Sequence, residues 1–329
     1  MKIMLMGDPH AQISNLTEMN KLVDFTIEKC AEAQVDALVV SGDLFHTHSV
    51  IRMEVQNFWI SAIDKMSKSP IKKIYLLVGN HDQIGDKQRE SQMSALDIFS
   101  NFAKNVIVIK DKLVDGELGF IAYTSDNNKF LADAKALFEH GAKRLFCHQT
   151  FDGSKFDNGF YAPHGIDPQS LSVFTEVVSG HIHTSQTVGA NVFYPGTPKW
   201  DSLSDANQDK GIWLSEAPNK WEIIPTDSVC TKIVKITVLE SDEDKEISID
   251  PKHSTIVELV GNSSWINKKS KSLRNKCRVV ARPTDAIDRR SSGKVSGKMS
   301  LNDYLDKDST IYDKSYKEKI SKYIEEICQ

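Results

Sequence analysis

Apolar residues fall into two kinds of run along the chain. Ile3-Met4-Leu5-Met6, Ala37-Leu38-Val39-Val40 and Ile74-Tyr75-Leu76-Leu77-Val78 are short, uninterrupted and closed at once by turn chemistry, so each reads as a buried strand. Between them the spacing changes to that of a helix. Met19, Leu22, Val23, Thr26, Ile27 and Cys30 predict one helix over about 17–34, with Thr17 as its N-cap, and Val55, Phe58, Trp59, Ala62, Ile63 and Met66 predict a second. The resulting β-α-β-α-β order predicts parallel strands joined by crossover helices.

Farther on, Leu96, Phe99 and Ala103 mark a helix face, with Ile98 and Phe102 outside it. Such a helix is either buried on two sides or uses its second face for self-association. Short strands are predicted at 106–109, 118–123, 191–194, 211–214 and 221–224, the last two as a hairpin around Pro218-Asn219. They imply a second, partly antiparallel sheet packed on the first. Two more runs deliver histidines: residues 143–147 lead to His148, and residues 175–179 lead to Gly180-His181-Ile182-His183.

With 329 residues, 40% of them apolar, the chain is long enough for a large core and a smaller second module. A net charge of −4 and a pI near 6.2 do not mark a nucleic-acid binder, so charge has to be read by segment. The five cysteines are far apart and form no Cys-x-x-Cys pair, which points away from a disulfide framework or a thiolate zinc site and toward a reducing compartment. The first apolar stretch ends by Met6, too short for a signal peptide, and no run approaches the ~18 apolar residues of a membrane span. A soluble, cytoplasmic protein is expected.

Five strand ends carry Asp8 and His10, Asp43, Asn80 and His81, His148, and His181 with His183. Ligands bind beyond the carboxyl ends of strands in α/β sheets, so these side chains are predicted to converge on one edge of one sheet. A lone Asp-x-His or His-x-His pair is common on exposed loops; the whole series, each member at a strand end, points to metal. Carboxylate, imidazole and amide oxygen suit Mn²⁺, Fe²⁺, Zn²⁺ or Mg²⁺. Seven ligands exceed what one ion uses. A two-metal site resolves the excess, with Asp43 bridging, Asp8, His10 and His183 on one ion, and Asn80, His148 and His181 on the other. His81 is left over, on the opposite side of the backbone from Asn80, placed to protonate a leaving oxygen or stabilise a charged transition state. Asp82 reads as a residue that orients its neighbours, and Gly79 as one that lets the backbone turn. His48, His140, His164 and His253 lack partners at ligand spacing and read as surface residues.

The series Asp8-x-His10, Gly42-Asp43, Gly79-Asn80-His81-Asp82, His148, Gly180-His181-x-His183 is similar to the calcineurin-like metallophosphoesterase family. The resemblance covers residues 1 to about 228 and implies a four-layer αββα sandwich that hydrolyses phosphate esters. Gly42-Asp43-Leu44-Phe45-His46 and Asp82 depart from the protein phosphatases of the family. They resemble the double-strand-break repair nucleases, SbcD-type subunits and their phage recombination-endonuclease relatives, in which the residue matching His46 assists the one matching His81. Tyr194-Pro195-Gly196-Thr197-Pro198 and Lys210-Gly211-Ile212-Trp213-Leu214 look like the end of those nuclease domains, whereas Pro9 between the first two ligands is a departure. The metals implied are two divalent ions, foremost Mn²⁺.

Strands predicted at 232–238, 255–260 and 278–282, with a polar helix over about 264–276, make a small α/β module over 229–288 that resembles the DNA-capping domain of those nucleases. Basic residues between 268 and 298, beginning with Lys268, Lys269, Lys271 and Arg274, far outnumber the acids Asp285 and Asp288, as expected for contact with a phosphate backbone. Over 289–329 a Ser/Gly/Lys-rich linker precedes an amphipathic helix with Tyr316, Ile320, Tyr323, Ile324 and Ile327. The helix folds back or docks on a partner, and the resemblance implies an SMC-like ABC ATPase of SbcC type. A homodimer through the helices near 55–66 and 92–103 is also implied. The expected function is a metal-dependent DNA nuclease subunit acting at DNA ends, against a small-molecule phosphodiesterase of the same fold or a metal-free scaffold.

Overall fold

The structure is a computed structural model that describes residues 1–84, 93–157, 159–162, 164–242 and 247–285. By internal contacts the chain divides into two compact units, Met1–Ile236 with Ile247–Ile256, and the described residues of Thr237–Glu246 with Val257–Gln329. Among the described residues no helix is long and apolar enough to cross a membrane.

In the first unit, β1 (Ile3–Met6), α1 (Leu16–Ala33), β2 (Ala37–Val40), α2 (Met53–Ser67) and β3 (Lys73–Leu77) form the predicted parallel series, and β4 (Val106–Ile109), expected in the second sheet, extends it by pairing parallel to β3. A second sheet contains β5 (Lys112–Asp115), β6 (Leu118–Ile121), β7 (Arg144–His148), β8 (Glu176–Gly180), β9 (Gln186–Val188) and β10 (Val192–Tyr194) in the order β5-β6-β7-β8-β10-β9. α3 (Asn127–Glu139) connects β6 to β7. The hairpin β11 (Gly211–Ala217) and β12 (Lys220–Pro225), expected in the second sheet, joins the first instead, where β11 lies antiparallel to β1, giving β12-β11-β1-β2-β3-β4.

Strand alternation sorts the apolar residues into layers. Ile3, Leu5, Ala37, Val39, Tyr75 and Leu77 face Leu118, Phe120, Phe146 and Val178 of the second sheet. Met4, Met6, Leu38, Val40, Ile74 and Leu76 turn the other way and pack with residues of α1 and α2. Leu145, Cys147, Val177 and Val192 pack with Phe130, Ala134 and Leu137 of α3. The arrangement is helices, sheet, sheet, helix: an αββα sandwich whose strands are apolar on both faces because both are covered.

Two local expectations are corrected, and one helix is added. Thr17 lies inside α1; the chain enters that helix from a 3-10 turn at Ile13–Asn15, and Asn15 is the N-cap residue. The Asn15 amide donates to the His10 carbonyl at 3.1 Å, so the helix start is tied to a site loop. The helix expected across 96–103 is a 3-10 helix, Ala95–Phe99, capped by Ser94, with Leu96 and Phe99 buried and Ile98 exposed. Sequence periodicity also passed over α3, although Asp126 caps it through two backbone N–H groups and Phe130, Ala134 and Leu137 are its buried face.

The second unit includes α4 (Ser263–Leu273), and a three-stranded sheet is formed by β13 (Ile233–Leu239), β14 (Ser254–Gly261) and β15 (Arg278–Pro283), in the order β13-β14-β15. The linker and terminal helix expected over 289–329 lie outside the described residues.

Phe120 joins the two sheets, stacked between Tyr75 at 4.5 Å and Phe146 at 5.3 Å. Phe120→Ala is expected to lower unfolding free energy by about 3–5 kcal/mol, read by chemical denaturation. A loss below about 1 kcal/mol would show that the sheets are not held through this stack.

Candidate metal centre

Five strand ends converge, but from two sheets and not from one, with β1, β2 and β3 of the first meeting β7 and β8 of the second, and the glycines next to the ligands explain how closely. A Cβ on Gly79 would lie 2.2 Å from Asp43 Oδ1 and 2.4 Å from the Asp43 nitrogen. Gly79 is therefore required for close approach of two loops, and not for a left-handed turn. Gly42 combines φ +111° with the His148 ring 2.4 Å from where its Cβ would stand. His10, Asp43 and His181 themselves have φ of 44°, 51° and 85°, a region that L residues rarely adopt.

Asp43 stands at the middle. Its Oδ1 accepts the His81 backbone N–H at 2.8 Å, leaving Oδ2 to the centre, 3.3 Å from His148 Nε2, 3.7 Å from His10 Nε2 and 3.9 Å from His81 Nε2. On one side, His10 Nε2 and His183 Nε2 face each other at 3.0 Å, and Asp8 joins them in a cluster of ligand-capable atoms. On the other, Asn80 Oδ1 lies 2.9 Å from His148 Nε2 and 2.8 Å from His181 Nδ1. Donor atoms about 2.0–2.2 Å from an ion stand about 2.8–3.6 Å from one another in octahedral or tetrahedral geometry, so these spacings fit a cation on each side of Asp43.

The outer hydrogen bonds leave free nitrogens pointing inward. His148 Nδ1 donates to the Ser41 carbonyl at 2.8 Å, and His183 Nδ1 pairs with Asp157 Oδ2 at 3.2 Å, while Thr184 Oγ1 donates to Asp157 Oδ1. Asp8 Oδ2 accepts the His181 backbone N–H at 2.6 Å, and Ser41 Oγ donates to its Oδ1. Asp82 accepts from the Gly79 and Phe45 backbones at 3.0 and 3.1 Å, tying two ligand loops together. His10 Nδ1 is buried without a hydrogen-bond partner among the described residues.

Burial and crowding shift the charges. Burial alone would disfavour the charged forms of both Asp43 and His148, but their mutual attraction prevails. Asp43 is held far below the usual carboxylate range, and His148 is pushed up to about 10. Burial raises Asp8 to about 6 and Asp82 to about 8, with Asp43 adding to each. Burial lowers His10 well below the ordinary imidazole value and takes His181 to about 3, leaving both neutral and ready to ligate.

The family model for calcineurin-like phosphoesterases matches residues 1–185. The chain belongs to that family. It is a metal-dependent phosphoesterase. A phosphoesterase-named protein, 244L, of Invertebrate iridescent virus 6 is 28% identical over 222 residues, covering 65% of this chain and 75% of that protein. Exonuclease subunit 1 of Enterobacteria phage T4 is 22% identical over 308 residues, 90% of this chain and 88% of that one. The DNA double-strand break repair protein Mre11 of Nanoarchaeum equitans is 25% identical over 255 residues, 70% and 67% of the two chains.

Within this phosphoesterase, Asn80 and His81 point to different halves of the centre: Asn80 to His148 and His181, His81 toward His10, with ring centroids 4.8 Å apart. His81 stays near enough to group with His10 and Asp43 as a ligand-capable set, closer than an opposite-side placement implied. Its Nδ1 pairs with the His46 carbonyl oxygen at 2.6 Å, so His46 touches His81 through its backbone, while the two rings stand 6.3 Å apart. His48 is exposed as expected, yet its ring lies 3.7 Å from that of His81 and its Nδ1 is 3.2 Å from the Asn80 carbonyl oxygen. Asp157 and His48 carried no sequence signal, since both sit in loops without periodicity. Beside His181 and His183 opens a cavity of about 350 Å³, lined also by Phe156, Asp157 and Ser204. Lys268, Lys269 and Lys271 lie on α4 in the second unit and Arg274 at its C-cap; the buried residues of α4 are Trp265, Ile266 and Leu273, and Lys269, four residues after Trp265, is half-buried beside them.

Metal binding to this site should release protons. His148 in the metal-free protein carries a proton up to about pH 10, and an ion at Nε2 must displace it. Apparent affinity at this position is therefore expected to rise about tenfold per pH unit through neutrality, and affinity at the position of Asp8, His10 and His183 to fall below pH about 6, where Asp8 protonates. Calorimetry in buffers of different ionisation enthalpy reads the released proton. Equal affinity at pH 6.5 and 8.5 would contradict the assignment.

Proposed function

We propose that this phosphoesterase is a DNA nuclease using two divalent ions, foremost Mn²⁺, to hydrolyse phosphodiesters at DNA ends. The observation that carries the reading is the alignment with the phage exonuclease subunit. It spans 90% of the chain and so runs past the matched family core. In this reading, 1–228 performs the chemistry, 229–288 caps DNA, and 289–329 docks on an SMC-like ABC ATPase of SbcC type. The protein works in the cytoplasm.

Asp8, His10 and His183 would hold one ion and Asn80, His148 and His181 the other, with Asp43 shared. Such a pair supplies an activated water and charge stabilisation at the phosphoryl oxygens. His81 is the leaving-group acid. The pairing of its Nδ1 with the His46 carbonyl presents Nε2 to the centre. Burial lowers its pKa, and the charge of a bound phosphodiester offsets that shift. His46 and His48 hold that ring in place, one from its backbone and one by a tilted ring contact.

On α4, the exposed Lys268, Lys271 and Arg274 and the half-buried Lys269 track the DNA backbone. Val50, Ile51, Met53, Ile60 and Ile98 are exposed apolar residues on and near α2 and the 3-10 helix Ala95–Phe99. They fit a homodimer contact.

His81→Ala is expected to keep bound metal and DNA affinity while cleavage falls about 10²–10⁴-fold. The assay uses labelled duplex and single-stranded DNA with and without Mn²⁺ and the ATPase. Loss of metal and cleavage together would make His81 a structural residue. Intact DNA alongside fast hydrolysis of a small phosphodiester by the wild type would replace the nuclease reading with a small-molecule phosphodiesterase.

A further inference from the structure

Behind His183 lies a buried ion pair that the chemistry above does not use. Lys210, immediately before β11, is buried, as is Asp205. The Lys210 ammonium donates to the His183 carbonyl at 2.8 Å and to Thr197 Oγ1 at 2.9 Å, and stands 2.6 Å from Asp205 Oδ1 in an ion contact. Asp205 is anchored in turn, its Oδ2 accepting the Asp201 and Ser202 backbone N–H groups at 3.0 and 2.9 Å. The Thr197 N–H also reaches the His183 carbonyl, at 3.0 Å. A desolvated ammonium with every partner fixed is a rigid anchor, unlike a lysine in solvent.

Its place in the topology gives that anchor a task. Asp8 and His10 follow β1 of the first sheet, whereas His183 follows β8 of the second. Antiparallel pairing sets Leu5 opposite Trp213, and continuing that register puts Lys210 level with Asp8. The ammonium thus bonds from the sheet that carries Asp8 and His10 to the backbone of the ligand that the other sheet supplies. The other half of the centre has a separate cross-sheet tie, His148 Nδ1 to the Ser41 carbonyl, in which Lys210 takes no part.

We propose that Lys210, held by Asp205, is a positioning residue that sets the affinity of one metal position only, that of Asp8, His10 and His183. The proposal rests on the two-ion reading above. Ligands fixed from outside typically lose about 10–100-fold in metal affinity when the outer partner is removed. Asp157 orients the His183 ring, but the backbone that carries the ring is set by Lys210 and Thr197.

The test is Mn²⁺ binding to the 329-residue chain, read by calorimetric stoichiometry and electron paramagnetic resonance, with folding followed by circular dichroism. Lys210→Met strands the Asp205 charge, so the double variant Lys210→Met/Asp205→Asn, which removes both charges, is measured beside it. At Mn²⁺ that fills two positions in the wild type, the double variant is expected to bind one ion. The exchange-coupled spectrum of an ion pair should give way to the six-line signal of an isolated ion, with the second position weakened about 10–100-fold. Lys199→Met removes another buried lysine, one that pairs with Asp201, and should still bind two ions. A folded double variant with two ions at wild-type affinity, or equal weakening of both positions, overturns the proposal. Fewer than two ions in the wild type overturns the two-ion reading itself, and the proposal with it.

Discussion

Two buried carboxylates, Asp8 and Asp43, share a small volume with the imidazoles of His10, His148, His181 and His183 where the two sheets end. So many lone pairs cannot be brought together in a desolvated place unless protons or cations lie between them. In the metal-free chain His148 supplies that charge as a protonated ring beside Asp43. Divalent ions do so better, because each neutralises several donors at once. The glycines at 42 and 79, the three left-handed residues and the cross-sheet hydrogen bonds all bring donors closer than a chain without a cation would favour. The fold pays for this elsewhere, in an intersheet core that includes Tyr75, Phe120 and Phe146.

Much of this was legible in sequence because strand ends and ligands coincide. Buried strands such as Ala37–Val40 are short apolar runs bounded by turn residues, and each reactive residue follows such a run. α1 and α2 were legible because a half-buried helix repeats its apolar residues with the helical period. α3 follows the same rule with fewer apolar positions, and β5 and β9 are edge strands with little apolar sequence of their own. The helix at 95–99 was overestimated because Phe102 and Ala103 pack on the core from an irregular segment, which mimics helical spacing.

At the centre, residue type revealed the ligands but not what holds them. Positive φ at His10, Asp43 and His181 is imposed by tertiary packing and leaves no mark on composition. Asp157 reaches His183 from a loop 26 residues earlier, and Lys210 reaches it from 27 residues later. Partners that distant have no periodic signature. Gly79 was legible as special, but its reason, the approach of Asp43, needed three dimensions. The separation of Asn80 and His81 into different halves of the centre likewise comes from the loop path after β3.

The central claim is the proposal that two cations would share Asp43 at this centre. The most direct measurement is anomalous diffraction at the manganese edge from crystals of the Mn²⁺-loaded chain. Two peaks are expected, one on each side of the Asp43 carboxylate and about 3.5–4 Å apart, the first beside Asp8, His10 and His183 and the second beside Asn80, His148 and His181. A single peak at full loading, or a second peak away from Asp43, would contradict it.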